Sequence, residues 1–418
     1  MAESNPEFVV PLIIDGKEEN GSSTFNVVSP FTAVEVAKRA FPSWSRFKPL
    51  EKQKLLFKAA DLLESRITKY GNIMQTEMGG LERVVHGWIL PFAVEVLRDV
   101  ASHIPLVTGN VTTSKGEGQS AMIWKEPFGV ILGIGPFNAP FALGMRAAAT
   151  AIATGNTTVL KGSELTPKCY WALGKVFHDA VWKVNFTGST EVGSKIARTC
   201  GENLKPCLME LGGKNSAIVC ADADLQEAAT ECIVGGFLHS VQICMSTDRI
   251  IIHADIAGRF LDILKVVFSA MAVSATFTSA PPHVVNAAAR SRLQEVISKS
   301  LSEGASSLVG GTEQLQPQET DSTSPVIFTP MVIGDVRDDM QLWQEESFGP
   351  VLAYRIAKSD EEAIAMANNT EAVHINTMSV RDEPALPMGG MKKSDWGRFN
   401  TIIGMEEFLV AKTVTWDD

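Results

Sequence analysis

Cys244 is the side chain of this sequence that is best suited to covalent chemistry, and it lies in the stretch SVQICMSTDR (240–249). A cysteine thiolate is a strong nucleophile toward carbonyl carbon. However, a free cysteine is more often a small buried apolar side chain. The stretch alone leaves both interpretations open, so other residues must decide between them.

Two further residues have the chemistry that a cysteine nucleophile needs. Glu210 ends the apolar part of MELGGKNSAIV (209–219) and precedes two glycines, and a partly buried carboxylate there can act as a general base. Asn138 lies in the rigid turn PFNAP (136–140), where its amide can donate to an oxyanion. Each residue also has a structural interpretation, as a surface glutamate beside a loop and as a turn-stabilising asparagine.

The segment NFTGSTEVGSKIA (185–197) has the pattern of a phosphate-binding connection between a strand and a helix. Gly188 follows the predicted strand, Ser189 or Thr190 begins the helix, and Gly193 lies in its first turn. Glycine permits close approach of a ligand, and the N–H groups at a helix start attract phosphate. An ordinary tight connection between strand and helix has the same pattern.

Composition sets the class of protein. The chain has 418 residues, 45% of them hydrophobic and 20% charged, with a net charge of −11. This predicts a soluble globular protein of more than one domain. Basic residues do not cluster, which argues against nucleic acid and membrane surfaces as partners. The N-terminus has no secretory pattern, and no apolar run reaches about 18 residues, so we expect a cytoplasmic protein.

The cysteines of the chain form neither a C-x-x-C pair nor a zinc-binding spacing with histidine. We therefore expect reduced thiols and no metal site. The cysteines are Cys169, Cys200, Cys207, Cys220, Cys232 and Cys244.

Short apolar runs alternate with longer helical patterns, which predicts an α/β fold with parallel sheets. Amphipathic helices are expected at 49–66 and 222–239, a polar hairpin at 110–127 and an exposed loop at 310–325. Strands are predicted at 129–135, 156–162, 182–188, 215–221 and 248–254.

Several motifs occur together in a recognisable order and span nearly the whole chain. Considered together, they resemble the aldehyde dehydrogenase superfamily. The segments ICMSTDR (243–249) and RDEPALPMGGMKKS (381–394) resemble those of salicylaldehyde and vanillin dehydrogenase-type members, which oxidise aromatic aldehydes. The motifs are PFNAP, VLKGSELTP, FTGSTEVG, MELGGKNSAIV, QICMSTDR, EESFGPV, VHIN and LPMGGMKKSDWGRF.

The resemblance implies an α/β fold with three parts. A Rossmann-like cofactor domain is expected at 1–108 and 128–211, and an α/β catalytic domain at 212–404. Residues 109–127 and 405–418 are expected to be oligomerisation elements of a homodimer or homotetramer.

The resemblance also implies a reaction, the oxidation of an aromatic or apolar aldehyde to a carboxylic acid. Cys244 would attack the aldehyde, the Asn138 amide and the Cys244 N–H would hold the oxyanion, and hydride would pass to NAD or NADP. Glu210 would activate the water that hydrolyses the thioester.

The same resemblance assigns residues to the dinucleotide and none to a metal. Glu164 suits the ribose hydroxyls of NAD and repels a 2′-phosphate, whereas Lys161 and Ser163 can accommodate one. Both cofactors therefore remain open, with NAD favoured. The assigned residues are Lys161, Ser163 and Glu164 at the adenosine, Gly188, Ser189 and Gly193 at the pyrophosphate, and Glu346 and Phe348 at the nicotinamide.

The chain departs from the family pattern at single positions. Val241 replaces a glycine three residues before Cys244, and His239 replaces an asparagine. If position 241 has a positive φ, a β-branched residue there costs about 1–3 kcal/mol. Asp395 replaces another glycine and is expected to disturb the turn after Ser394.

Segments that the family has are also missing. A strand and a helix are absent between Ala180 and Val181, a further strand–helix stretch is absent between Ala372 and Val373, and the region near residue 35 is shortened. Two hypotheses follow, an active dehydrogenase and a catalytically impaired relative. A third, a cysteine hydrolase or acyltransferase without cofactor, is least favoured because His239 and Cys244 are five residues apart and do not share a helix face.

Overall fold

The computed structural model describes residues 12–14, 17–19, 30–174, 184–272, 282–312, 315, 326–367 and 373–417. The chain forms two compact units. Unit 1 comprises residues 1–210, 383–389 and 395–418, and unit 2 comprises residues 211–382 and 390–394.

The main sheet of unit 1 is parallel except for one short edge strand. The strand order is β14-β8-β7-β5-β6, and β14 is antiparallel to β8. The strands are β5 (Val130–Ile134), β6 (Thr157–Lys161), β7 (Val184–Thr187), β8 (Cys207–Glu210) and β14 (Asp395–Trp396).

The chain runs from β5 outward to β6 and then returns to the other side of β5 to form β7. In open α/β sheets a ligand site lies beside such a reversal, at the carboxyl ends of the strands. Helix α6 (Pro140–Ala153) follows β5, begins with proline at its first position and is buried along nearly its whole length. Small alanine side chains let this helix approach the sheet closely.

Helices cover the rest of unit 1. A five-residue π-helical turn (Val85–Ile89) joins α4 to α5. The helices are α1 (Pro30–Ser45), α2 (Pro49–Glu64), α3 (Ile67–Met78), α4 (Glu82–Val84), α5 (Leu90–His103), α7 (Pro167–Gly174), α8 (Thr190–Glu202) and, near the end of the chain, α14 (Thr401–Glu406). A small antiparallel pair, β1 (Leu12–Ile14) and β2 (Lys17–Glu19), precedes them.

The predicted polar hairpin is present as β3 (Asn110–Thr113) and β4 (Gln119–Pro127). The terminal strand β15 (Leu409–Asp417) pairs with β4 along its whole length, from Leu409 opposite Pro127 to Asp417 opposite Gln119. The strand order is β15-β4-β3. Hairpin and terminal strand thus form one three-stranded sheet within a single chain.

Unit 2 has a second sheet of order β11-β12-β13-β10-β9, in which only β11 is antiparallel to its neighbour. The strands are β9 (Ser216–Val219), β10 (Arg249–His253), β11 (Ser306–Val309), β12 (Met331–Gly334) and β13 (Val351–Ala357). The helices are α9 (Leu225–Phe237), α10 (Ala257–Ala272), α11 (Ala287–Ser302), α12 (Gln341–Gln344) and α13 (Asp360–Ala367). Apolar clusters fill both faces of this sheet.

The predicted α/β fold class is confirmed, and all five predicted strands are present as β5, β6, β7, β9 and β10. One assignment differs: residues 383–389 and 395–404, expected in the catalytic domain, belong to unit 1 because β14 pairs with β8. The predicted loop at 310–325 and both internal junctions lie largely or wholly outside the described residues. In the described part of the chain, no helix is long and apolar enough to cross a membrane.

Candidate active site

The predicted site residues of unit 1 gather at the carboxyl edge of its parallel sheet. Asn138 follows β5 and is buried, and Lys161 ends β6. Gly188 follows β7, and Glu210 ends β8. The register places these strand ends side by side, with Ile134 opposite Lys161 and Thr187 opposite Glu210.

At the end of β6, the Lys161 ammonium and the Glu164 carboxylate form an exposed ion pair, with 3.1 Å between Nζ and Oε2. A hydrogen bond from the backbone of Glu164 and then the Lys161 ammonium lower the pKa of Glu164. Ser163 is buried, and its hydroxyl accepts a hydrogen bond from the Leu165 N–H. A charged pair and a hydroxyl therefore lie together at this strand end.

At the end of β7, Ser189 is the N-cap of α8, and its hydroxyl accepts from the N–H of Val192. Gly193 is buried in the first turn, and the Gly188 N–H donates to the carbonyl of Glu210. The helix start predicted from the sequence is therefore present, and its position next to β8 is fixed by the backbone.

Glu210 is buried, with 2% of its surface exposed. Its Oε2 accepts a hydrogen bond from the Thr187 hydroxyl at 3.3 Å and lies 3.8 Å from Nη1 of Arg146. Sequence reasoning did not select Arg146. A signal was present, because Arg146 is the one charged residue in α6, and an arginine buried among alanines requires an anionic partner.

The predicted site residues of unit 2 lie at the amino edge of its sheet, in loops that precede the strands. β9, β10 and β13 are parallel neighbours. The loop before β9 contains Lys214 and Asn215, the loop before β10 contains Cys244, and the loop before β13 contains Glu346 and Phe348. The three loops therefore meet at the amino edge of this sheet.

The loop that contains Cys244 is held by hydrogen bonds on both sides. The Asn215 side-chain amide donates to the carbonyls of Cys244 at 2.7 Å and of Ser246 at 3.2 Å. The Ser379 hydroxyl donates to the carbonyl of Met245 at 2.7 Å. From Val241 to Arg249 the residues on both sides are buried, and only Cys244 and Met245 are partly exposed.

The segment before Cys244 is strained. His239, Ser240 and Val241 have φ values of 53°, 55° and 62°, in the left-handed region that disfavours β-branched side chains. Position 241 therefore has the positive φ at which a β-branched residue is costly. The segment is held by His283, whose N–H donates to the Ser240 hydroxyl and whose carbonyl accepts from the Gln242 amide.

A buried ion pair and an exposed arginine position the loop before β13. The Lys214 ammonium lies 3.1 Å from Asp248 Oδ1 and donates to the Ser347 hydroxyl at 2.8 Å. Arg292 donates to the carbonyls of Glu346 and Ser347. Burial lowers the pKa of Lys214, although Asp248 opposes the shift.

Glu346 lies against the two glycines that follow Glu210 in the chain. Its carboxyl group contacts the place where a side chain at Gly212 would begin, so a larger residue there would displace the carboxyl group of Glu346. Burial and then the negative charge of Asp248 raise the pKa of Glu346 to about 8. Phe348, two residues on, has a positive φ of 49°.

Asp395 does not disturb the turn after Ser394. It lies in β14 opposite Glu210, is buried, and does not belong to the residues with positive φ. The expectation of a disturbed turn is therefore wrong, because the backbone at position 395 does not have the positive φ that would require glycine.

All six cysteines are free thiols. Across the described ranges, no group of His, Cys, Asp and Glu side chains has the arrangement of a metal site.

Comparison with known proteins identifies the family of this chain. The model of the aldehyde dehydrogenase family matches residues 30–182 and 176–372. The chain belongs to the aldehyde dehydrogenase family. The two matched segments overlap at residues 176–182, a range that includes the junction between Ala180 and Val181, where the sequence predicts that a strand and a helix are missing.

Relatives of the aldehyde dehydrogenase family share the whole length of the chain. A vanillin dehydrogenase from Pseudomonas sp. (strain HR199 / DSM 7063) is 33% identical over 485 residues, covering 98% of this chain and 98% of the relative. A salicylaldehyde dehydrogenase from Pseudomonas sp. (strain C18) is 29% identical and covers 98% and 94%. The first alignment is longer than the 418 residues of this chain, so it contains gaps in this chain.

Solved structures agree with the fold of an aldehyde dehydrogenase. A salicylaldehyde dehydrogenase from Pseudomonas putida G7 complexed with salicylaldehyde has a TM-score of 0.85 at 28% identity, covering 93% of this chain and 90% of that one. An NAD-dependent aldehyde dehydrogenase from Sinorhizobium meliloti has a TM-score of 0.88 at 25% identity, covering 98% and 94%.

Proposed function

We propose that this aldehyde dehydrogenase oxidises aromatic or apolar aldehydes to carboxylic acids through a thioester on Cys244, with NAD or NADP. The observation that carries the proposal is the partial exposure of Cys244 within a hydrogen-bonded loop that is otherwise buried from Val241 to Arg249, apart from Met245. A cysteine with a purely structural role in such a loop is more often buried. A nucleophile requires both access and a fixed direction of attack.

Each residue has one task in this reaction. The Cys244 thiolate forms a bond to the aldehyde carbon, and the Asn138 amide and the Cys244 N–H stabilise the resulting oxyanion. Loss of hydride from that carbon leaves a thioester. Glu210 then takes a proton from water, the hydroxide adds to the thioester carbonyl, and Cys244 departs as thiolate.

The residues at the carboxyl edge of the unit 1 sheet fit a dinucleotide. The capped N-terminus of α8 suits a pyrophosphate, and the Lys161 and Glu164 pair suits ribose hydroxyls. Glu346 and Phe348 would hold the nicotinamide ribose and ring. When bound, the nicotinamide accepts the hydride from the substrate carbon.

We infer that NAD is preferred over NADP. Glu164 is ionised at neutral pH because its pKa is lowered, and it would repel a 2′-phosphate. Titration of tryptophan fluorescence should give tighter binding of NAD by about tenfold, a difference of about 1.4 kcal/mol. Glu164→Gln should narrow that ratio, whereas an unchanged ratio would contradict the assignment.

An aromatic substrate is supported by the relatives, whose names are vanillin, salicylaldehyde and benzaldehyde dehydrogenases. The test is the rate of nicotinamide reduction with benzaldehyde and with a short aliphatic aldehyde.

The role of Cys244 is tested by the same rate. Cys244→Ala should abolish the rate. The matched control Cys220→Ala removes an exposed thiol and should leave the rate unchanged. Equal loss in both variants, or no loss in either, would refute the role of Cys244.

A second candidate is a catalytically impaired aldehyde dehydrogenase, and Val241 favours it because its positive φ strains the loop before Cys244. In this case the missing strand and helix should lower nucleotide affinity more than Val241 does. Loss of cofactor contacts removes binding outright, whereas backbone strain at Val241 costs about 1–3 kcal/mol. Val241→Gly alone should then leave nucleotide affinity low. Insertion of a relative's strand and helix between Ala180 and Val181 should raise it. Tight binding by the unmodified chain would exclude impairment of this kind.

A further inference from the structure

The turn that presents Cys244 is closed by one backbone hydrogen bond. The Ser246 N–H donates to the carbonyl three residues back at 2.9 Å, which leaves Cys244 and Met245 at the tip of the turn. The carbonyls of this largely buried turn need further donors, because a backbone carbonyl without a hydrogen bond is costly. Asn215 serves the carbonyls of Cys244 and Ser246, and the Met245 carbonyl between them accepts from Ser379.

The Ser379 hydroxyl is the middle of a chain of three groups. Its oxygen lies 2.7 Å from the Met245 carbonyl and 2.8 Å from the Thr247 hydroxyl. A serine hydroxyl has one hydrogen to donate, and the carbonyl takes it because a carbonyl only accepts. Thr247, which is 1% exposed, therefore donates to Ser379. One hydroxyl thus holds two residues of the loop that contains Cys244.

Helix α9 fixes the segment 377–379. The Glu231 carboxylate on this helix accepts from the Met378 N–H at 2.6 Å. One turn further along the helix, a side chain at Gly235 would begin 2.9 Å from the Thr247 hydroxyl and 3.0 Å from Cβ of Met378. The segment, Thr247 and α9 therefore meet at one place.

The same segment follows the junction between Ala372 and Val373, where the sequence predicts that a strand and a helix are missing. The described part of the chain begins again at Val373, and Glu231 binds the backbone five residues later. Glu231 thus gives the segment an attachment that does not depend on the missing strand and helix.

We propose that Ser379 and Glu231 are positioning residues for Cys244. Glu231 holds the segment 377–379 against α9, and the Ser379 hydroxyl holds the turn whose tip presents the thiol. Both act through the backbone of that turn and not on the substrate. The catalytic consequence rests on the proposed function of Cys244, whereas the restraint of the turn does not.

The first test measures the turn itself, by amide hydrogen exchange without substrate or nucleotide. Ser379→Ala should speed exchange of the peptide 243–248 by about tenfold and leave that of β10 unchanged, because the opening is local. Ser379→Thr keeps the hydroxyl and should exchange like the wild type. Ser302→Ala, which removes an exposed hydroxyl at the end of α11, is the control and should change neither. Wild-type exchange in Ser379→Ala would overturn the proposal.

The second test is the steady-state rate of benzaldehyde oxidation. Ser379→Ala should lower kcat about tenfold and leave KM and nucleotide affinity within about twofold, because a misplaced thiol slows attack without weakening binding. Ser379→Thr should restore kcat. An unchanged kcat in Ser379→Ala, or a loss expressed in KM alone, would overturn the proposal, since Ser379 would then be dispensable or would act on the substrate.

The link between Glu231 and Ser379 is tested by a double-mutant cycle. Glu231→Ala should lower kcat, whereas Glu231→Gln, whose amide oxygen can still accept from Met378, should keep most of it. Glu231→Ala combined with Ser379→Ala should be about as slow as the slower single variant, because both remove the same support. Losses that multiply would refute the link. If Ser379→Ala does not fold, the two Glu231 variants test the restraint of the turn by exchange in its place.

The exchange and rate measurements separate the inference from the proposed function. If Ser379→Ala speeds exchange of the turn and Cys244→Ala keeps its aldehyde oxidation, the restraint of the turn stands and the proposed role of Cys244 fails. If Cys244→Ala is inactive while Ser379→Ala has the exchange and kcat of the wild type, the proposed function stands and the inference fails.

Discussion

At the scale of single residues, Val241 combines two opposing effects. Its positive φ of 62° is costly for a β-branched side chain, but the side chain is 1% exposed and packs in the core of unit 2. Glycine would remove the strain and lose the packing, whereas alanine would lose the packing and keep most of the strain.

We therefore predict an inverted order of stability. Val241→Ala should lower the free energy of unfolding by about 1–3 kcal/mol, and Val241→Gly should lower it by less, since relief of strain offsets part of the lost burial. Urea unfolding of both variants measures this. A glycine variant less stable than the alanine variant would mean that the backbone at this position is not strained.

The sequence predicts the site residues that lie in local motifs, which are Cys244, Glu210 and Asn138. It does not predict residues whose role depends on contacts with elements distant in sequence. The partners of Glu210 come from α6 and β14, and a local pattern does not specify which strand pairs with β8. The lysine after Gly213 was visible in the sequence, but its contacts with Asp248 and Ser347 depend on the neighbouring strands.

At the scale of elements, the turn before β9 holds two loops by two adjacent side chains. Asn215 binds the carbonyls of the Cys244 loop, and Lys214 binds the loop before β13.

Asn215→Asp should lower the rate of aldehyde oxidation by at least about tenfold with little change in nucleotide affinity, because a small misplacement of the thiol is costly. Lys214→Met should weaken nucleotide binding, measured by calorimetry. The same effect of both variants on affinity would contradict this division.

Helix α2 carries a lysine that favours folding at alkaline pH. Lys52 is 5% exposed, and burial lowers its pKa to about 8. The unfolded chain, with a lysine pKa of about 10.4, therefore binds more protons between these values, so the free energy of unfolding should rise with pH in that range.

Urea unfolding between about pH 8 and pH 10 should show this rise in the wild type and a smaller one in Lys52→Met. Lys54→Met is the matched control, because Lys54 is exposed on the same helix. A rise of the same size in Lys52→Met and the wild type would show that Lys52 is not the source.

At the scale of the whole molecule, the sheet of β3, β4 and β15 exposes apolar side chains. Val111, Trp124 and Trp416 are 77%, 55% and 43% exposed. The terminal strand β15 pairs with β4 of the same chain. Partner choice between strands so distant in sequence follows from tertiary packing and has no local signal.

We predict that this sheet mediates a homodimer or homotetramer, since exposed apolar surface of this kind marks interfaces. Sedimentation at micromolar concentration should give an oligomer for the wild type and smaller species for Trp124→Glu. Glu117→Gln, at the exposed tip of the hairpin, is the control and should leave the oligomer unchanged. A wild-type monomer would contradict the prediction.

The central claim is that Cys244 carries the acyl group and Glu210 removes it. Glu210→Gln should therefore accumulate a thioester when the purified chain is given benzaldehyde and NAD or NADP. Mass spectrometry of the digested protein should find the benzoyl group on the peptide that contains Cys244, and hydroxylamine should release it. No adduct in Glu210→Gln, or an adduct on another cysteine such as Cys220, would contradict the account.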